Sequence, residues 1–232
     1  MFLLCTILQQ KSIIIIWFIY GRIGHFLPGG EVVQGQRTVG QYRAIDLFLF
    51  AVMLVFFESL ITTASLKWFP NEAYTVSAVA AVTAVVMMRW GPWAAIHAVL
   101  GGAVHCYWTL RWMPEAAGQD YVIFCLGNLL CLAALGLIKV LGAEEIRKNV
   151  WKSLVFGGTV LLLMQLGRAA VALTRGIAPA DAALYVTLDV ISMLFTLLLV
   201  WIVRRLDGVF ENQRHYLERV HRELQKEEGG SL

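Results

Sequence analysis

Charge is scarce in this 232-residue chain: Asp, Glu, Lys and Arg make up 15% of it, against 59% hydrophobic residues. A soluble domain carries about a quarter charged residues. The shortage, with a mean hydropathy of +0.68, excludes an ordinary water-soluble fold and indicates an integral membrane protein. The net charge of +3 makes no case for a nucleic-acid partner. Cys5, Cys106, Cys125 and Cys131 lie in apolar runs without CxxC spacing, so neither a zinc site nor a disulfide framework is indicated. HExxH, GxSxG and GxxxxGKS/T are missing, as is a pair of acids on a loop suited to Mg²⁺. Zinc-protease, serine-hydrolase and P-loop chemistry therefore have no footing, and no enzyme activity, cofactor or metal is expected. Strand-like alternation is also absent, which leaves an all-α helical bundle.

What the chain does have is length in apolar runs. About 20 residues cross the hydrocarbon core, and six spans with short loops fit: 44–66, 74–88, 93–112, 121–141, 154–173 and 181–205. The expected organisation is an extension over 1–36, a six-helix membrane domain over 37–205, and a cytosolic helix and tail over 206–232. The extension lacks the basic start and cleavage site of a signal peptide. It is an imperfect extra helix or a mis-assigned start, since Pro28-Gly29-Gly30-Glu31 is encodable by a ribosome-binding sequence and Val32 and Val33 by GTG codons. With the amino end inside, cytoplasmic loops receive Arg37, Arg43, Arg89, Lys139, Arg147, Lys148, Lys152, Arg204 and Arg205, and the other side only Lys67, Arg111 and Arg175. The positive-inside rule then puts both termini in the cytoplasm of a prokaryotic cell membrane. Leu206, Phe210, Leu217, Val220 and Leu224 follow a short a/d-like pattern, as expected of a helix projecting from the last span.

The stretch Arg89-Trp90-Gly91-Pro92-Trp93 joins two spans with almost no loop and reads as a hairpin. Arg and Trp suit a headgroup interface, and Pro opens the following helix. Beyond it Ala94, Ala98 and Gly102 recur every fourth residue, a smooth face on which another helix can pack closely. With Arg89 this face is the expected partner-docking surface. Met87, Met88, Met164 and Met193 read as core filling rather than metal ligands.

At about 1.5 Å of rise per residue, Glu58, His105, Asn128, Arg168 and Asp189 fall at one depth, roughly 10–13 Å below the outer ends of their helices. Gln165 lies one turn below Arg168. Ionisable groups inside a membrane are costly unless they pair or face a wet cavity. Five helices contributing to one level therefore point to a shared outward pocket that binds a small molecule. Arg168 would anchor an anionic or carbonyl group, Asp189 and Glu58 would orient Arg168 or bind an amine, Asn128 and Gln165 would read polar edges, and His105 would touch the ligand or serve as a neutral helix-to-helix hydrogen bonder. The alternative is that these groups are interhelical glue in a structural or scaffold protein of cell-envelope assembly. The rings of Tyr107, Trp108, Tyr121 and Tyr185 serve equally as an interfacial belt or as pocket walls.

Glu58-Ser59-Leu60-Ile61-Thr62-Thr63-Ala64 before an aromatic loop, Met88-Arg89-Trp90-Gly91-Pro92-Trp93-Ala94-Ala95, Gly101-Gly102 and the six-span size together resemble the substrate-capture (S) components of energy-coupling factor (ECF) transporters, over roughly 37–205. The resemblance implies a vitamin or similar micronutrient bound from outside. It also implies a transmembrane coupling subunit and two ATPase subunits as partners, with the ligand near the outer ends of helices four to six. The chain departs from the family's AxxxA pattern on the first helix. Ala44 and Ala51 stand seven apart, and the small-residue spacing occurs instead at Ala80/Ala84 and Ala94/Ala98/Gly102.

Overall fold

The computed structural model describes residues 39–68, 76–113, 120–187, 189–206, 208–213, 216, 219 and 222. Contacts divide the chain after Arg37. Met1–Arg37, with the expectations placed on it, lies outside the described residues, as does most of the tail.

Among the described residues every regular element is helical. Five helical stretches are long and apolar enough to cross a membrane: Val39–Trp68, Val79–Trp112, Tyr121–Leu141, Val150–Thr174 and Pro179–Val203. The first, α1 (Val39–Trp68), shows the membrane pattern most clearly. Its buried residues are Asp46, Leu54, Glu58 and Thr62, whereas Phe48 and Phe56 are 67% and 58% exposed. A helix with polar groups inward and aromatics outward suits lipid, not water.

The expected second and third spans form one continuous run because the turn between them is itself helical: α2 (Val79–Trp90), a 3₁₀ turn over Gly91–Trp93, and α3 (Ala94–Trp112). The run is nevertheless folded back on itself. Gly91 has φ +61°, a left-handed conformation that disfavours any Cβ, and Val79 lies so close to Gly101 that a Cβ there would come within 2.5 Å of it. Ten of the 12 residues of α2 are buried, which makes it the central helix. At about 18 Å it is too short to cross the roughly 30 Å core alone. Its helical geometry begins only at Val79, later than the expected 74, of which 74 and 75 are outside the described residues.

The next stretch comprises α4 (Tyr121–Asn128), a 3₁₀ segment over Leu129–Ala134, and α5 (Leu135–Leu141). Asp120 caps its start by accepting the Val122 N–H at 2.7 Å. Gly142, at φ +79°, turns the chain into the short α6 (Ala143–Lys148). Asn149 then caps α7 (Val150–Thr174) by accepting from Trp151 and Lys152. The last stretch is split at Asp189 into α8 (Pro179–Thr187) and α9 (Val190–Val203).

The chain after Leu206 does not simply project outward. It turns at Gly208, at φ +72°, and buries Phe210 completely against Phe156, with ring centroids 6.3 Å apart. Phe210 thus faces the bundle rather than an outside partner, and Leu217, Val220 and Leu224 of the expected pattern lie outside the described residues. Met87, Met88 and Met164 join the same core.

Candidate functional site: a polar layer at three helix breaks

The end of the bundle opposite the Gly91 turn holds the polar residues. Glu58 is fully buried on α1. Its Oε2 accepts the N–H of Ala78 at 2.8 Å, immediately before α2. An isolated helix start exposes unsatisfied N–H groups and a partial positive charge. Here a carboxylate from a neighbouring helix supplies the cap. The adjoining Ser77 Oγ accepts from Val79 N–H at 3.2 Å, while Ser77 N–H donates to Ser192 Oγ of α9 at 3.1 Å. On the other oxygen, Glu58 Oε1 lies 3.0 Å from His105 Nδ1 of α3, within hydrogen-bond distance. Thr62 donates to the same oxygen at 3.4 Å.

Phe124 links this group to the rest of the layer. The His105 ring stacks on it with centroids 5.2 Å apart and planes 26° apart, and the Arg168 guanidinium carbon lies 4.7 Å from its centroid. Arg168 Nε–H donates to Asn128 Oδ1 at 2.7 Å, and Asn128 Nδ2 donates in turn to the Ala98 carbonyl at 2.9 Å. Asp189 Oδ2 lies 3.6 Å from Arg168 Nη1, an ion pair longer than a hydrogen bond. Tyr185 meets Phe124 edge to face at 5.9 Å.

Glycine allows α4 and α7 to bring Asn128 beside Arg168. A Cβ on Gly167 would lie 2.0 Å from the Gly127 carbonyl oxygen, and one on Gly127 would lie 2.6 Å from the Arg168 backbone. The two backbones touch at the residues preceding Asn128 and Arg168. Gly102 has a similar role, since a Cβ there would come within 2.9 Å of the Phe124 carbonyl.

The layer coincides with one helix start and two departures from α-helical geometry. Ala78 precedes the start of α2, Asn128 ends α4 where the 3₁₀ segment begins, and Asp189 stands between α8 and α9. Broken backbone at membrane depth releases donors and acceptors that survive only when buried in protein or facing a wet cavity.

The structure therefore brings Glu58, His105, Asn128, Arg168 and Asp189 into one connected group. Gln165 is buried as well, but joins none of these contacts. The docking surface expected on α3 is corrected. Ala94 and Ala98 are completely buried, Ala98 and Gly102 are packed by α4, and small residues here serve an internal helix contact rather than a surface left for a partner. Arg89 is likewise engaged. Its Nε and Nη2 donate to Asp46 at 2.7 and 2.9 Å, and its Nη1 donates to the Gly208 and Val209 carbonyls.

Sequence reasoning missed Asp46, Phe124, and the glycines Gly127 and Gly167. Asp46 was recognisable as an acid within an apolar span. Each of the two glycines immediately precedes a polar residue of the layer, which is the visible trace of a close crossing. Phe124 carried no signal that separates it from any other apolar residue. In comparisons with protein-family models, curated proteins and solved structures, the chain matches none of them, which leaves the site's own geometry as the basis for a functional reading.

Proposed function

We propose that the chain is a substrate-capture subunit of an ECF-type importer. It would place six segments in a prokaryotic cell membrane, the short α2 spanning only part of it together with the chain before it, with both termini cytoplasmic, and bind a small micronutrient in the polar layer. The observation that carries this reading is the Arg168 guanidinium. Among the described residues, Nε–H makes its one hydrogen bond, to a neutral amide, and its carboxylate partner stands at 3.6 Å. A buried arginine with donors still to spend suits the carboxylate or carbonyl of a ligand, which its planar fork binds in two-point fashion. Phe124 and Tyr185 offer ring surface beside it. Glu58, capping α2 and holding His105, has a positioning role in this reading, and Asn128 orients Arg168.

A second reading draws on the same Glu58 contacts. A carboxylate so fully engaged by a helix start and a histidine is also what a structural scaffold of envelope assembly would contain. Affinity purification from native membranes separates the two. A coupling subunit with two ATPases is expected to come down with the importer subunit. Envelope enzymes or cytoskeletal proteins in their place would favour the scaffold.

A further inference from the structure

At the end of the bundle that holds the Gly91 turn, a cleft of about 320 Å³ opens between Arg43, Trp90, Trp93, Asn212 and the Gly91-Pro92 turn. We infer that this cleft binds the phosphate headgroup of an anionic glycerophospholipid, with Arg43 as its charge partner. The half-buried guanidinium of Arg43 lies 4.5 Å over the Trp93 ring, which holds it at the cleft. Among the described residues no carboxylate pairs with it. The acid one turn away, Asp46, is committed to both Arg89 and the Trp90 indole N–H, at 2.5 Å. Arg43, Arg89 and Asp46 sum to a local charge of +1, so an anion is the group this cleft lacks.

The volume lies near the lower end of the range for small-molecule sites, enough for a headgroup and too little for its chains. The chains have a surface of their own. Three residues beyond Trp93, and so on the same side of α3, Ile96 is 47% exposed. A basic and aromatic cleft at helix ends, continuous with exposed apolar helix, fits a lipid better than a soluble phosphate ester.

The test uses the full chain in detergent micelles, with lipid binding followed by native mass spectrometry. Phosphatidylglycerol is expected to bind in preference to phosphatidylcholine. Arg43→Gln should weaken phosphatidylglycerol about tenfold and abolish the preference, and Trp93→Ala should weaken it less. Arg205→Gln removes an arginine stacked on Trp201 away from the cleft, and should change nothing. Wild-type binding by Arg43→Gln would overturn the proposal, as would equal losses in Arg43→Gln and Arg205→Gln, which indicate diffuse surface charge. Displacement of the lipid by an equal concentration of glycerol 3-phosphate would overturn the choice of a lipid.

Discussion

Arg89 near the Gly91 turn and Arg168 in the polar layer are buried almost equally, with side chains 10% and 8% exposed, yet their surroundings differ in kind. Arg89 meets Asp46 through two parallel bonds and spends a third nitrogen on two carbonyls of the returning chain. Among the described residues Arg168 makes a single hydrogen bond, to a neutral amide, and its carboxylate partner stands at 3.6 Å. A saturated guanidinium is a staple, because its burial is compensated only while every partner stays in place. An unsaturated one is suited to receive a ligand. The same residue type at the same burial thus serves structure at one end and, in the proposed function, recognition at the other.

The largest stability effect is expected where saturation is highest. Asp46→Ala would strand the Arg89 charge and remove the acceptor of the Trp90 indole, lowering stability by about 3–5 kcal/mol. Thermal unfolding of the detergent-solubilised protein measures this, and a loss near zero would show that Arg89 is not a staple. Next comes the crossing that positions the layer. Gly167→Ala places a Cβ 2.0 Å from the Gly127 oxygen, and separating α4 from α7 should cost about 1–3 kcal/mol while weakening ligand binding through Asn128 and Arg168. An unchanged melting curve would mean that the two backbones do not touch. Glu58→Gln keeps an acceptor for the Ala78 N–H but loses the charge facing the α2 start, so a loss of about 1–2 kcal/mol is expected. Equality with Glu58→Ala would show that the cap contributes nothing.

The smallest effect belongs to the exposed side of α6. Hydrogen bonding to Lys148 holds Glu144 below its ordinary pKa of 4.5, and Lys152 does the same for Glu145. A depressed folded-state pKa contributes stability above the unfolded value and loses it as pH falls through the folded one. Any contribution therefore fades only below about pH 4.5. Both carboxylates are fully exposed, so Glu144→Gln with Glu145→Gln should leave the melting temperature unchanged at pH 7. A clear drop at pH 7 would blur the contrast between surface pairs and the buried staple.

Much of this contrast is legible in the sequence, but unevenly. Apolar run length located the helix at 121–141 and, as 154–173, most of the one at 150–174, and rise per residue put Glu58, His105, Asn128, Arg168 and Asp189 at one level, where the structure joins them. The helix breaks were not legible. Leu129–Ala134 is as apolar as its flanks, and its tightening to 3₁₀ geometry leaves the composition unchanged. Asp46 stands out as an acid within an apolar span, but its partners Arg89 and Trp90 lie 43 and 44 residues away, a pairing that spacing along the chain does not show. Ala94, Ala98 and Gly102 were rightly read as a close-packing face. Which helix fills such a face depends on tertiary arrangement, and four-residue spacing carries no information about it.

In the proposed function Arg168 is poised for a ligand. Native mass spectrometry of the protein extracted from its own membranes, beside Arg168→Lys, tests it most directly. Lysine retains the charge and loses the planar fork. A small molecule is expected to be released from the wild type and to be absent from a folded Arg168→Lys variant. The same molecule held equally by both, or by neither, would contradict it.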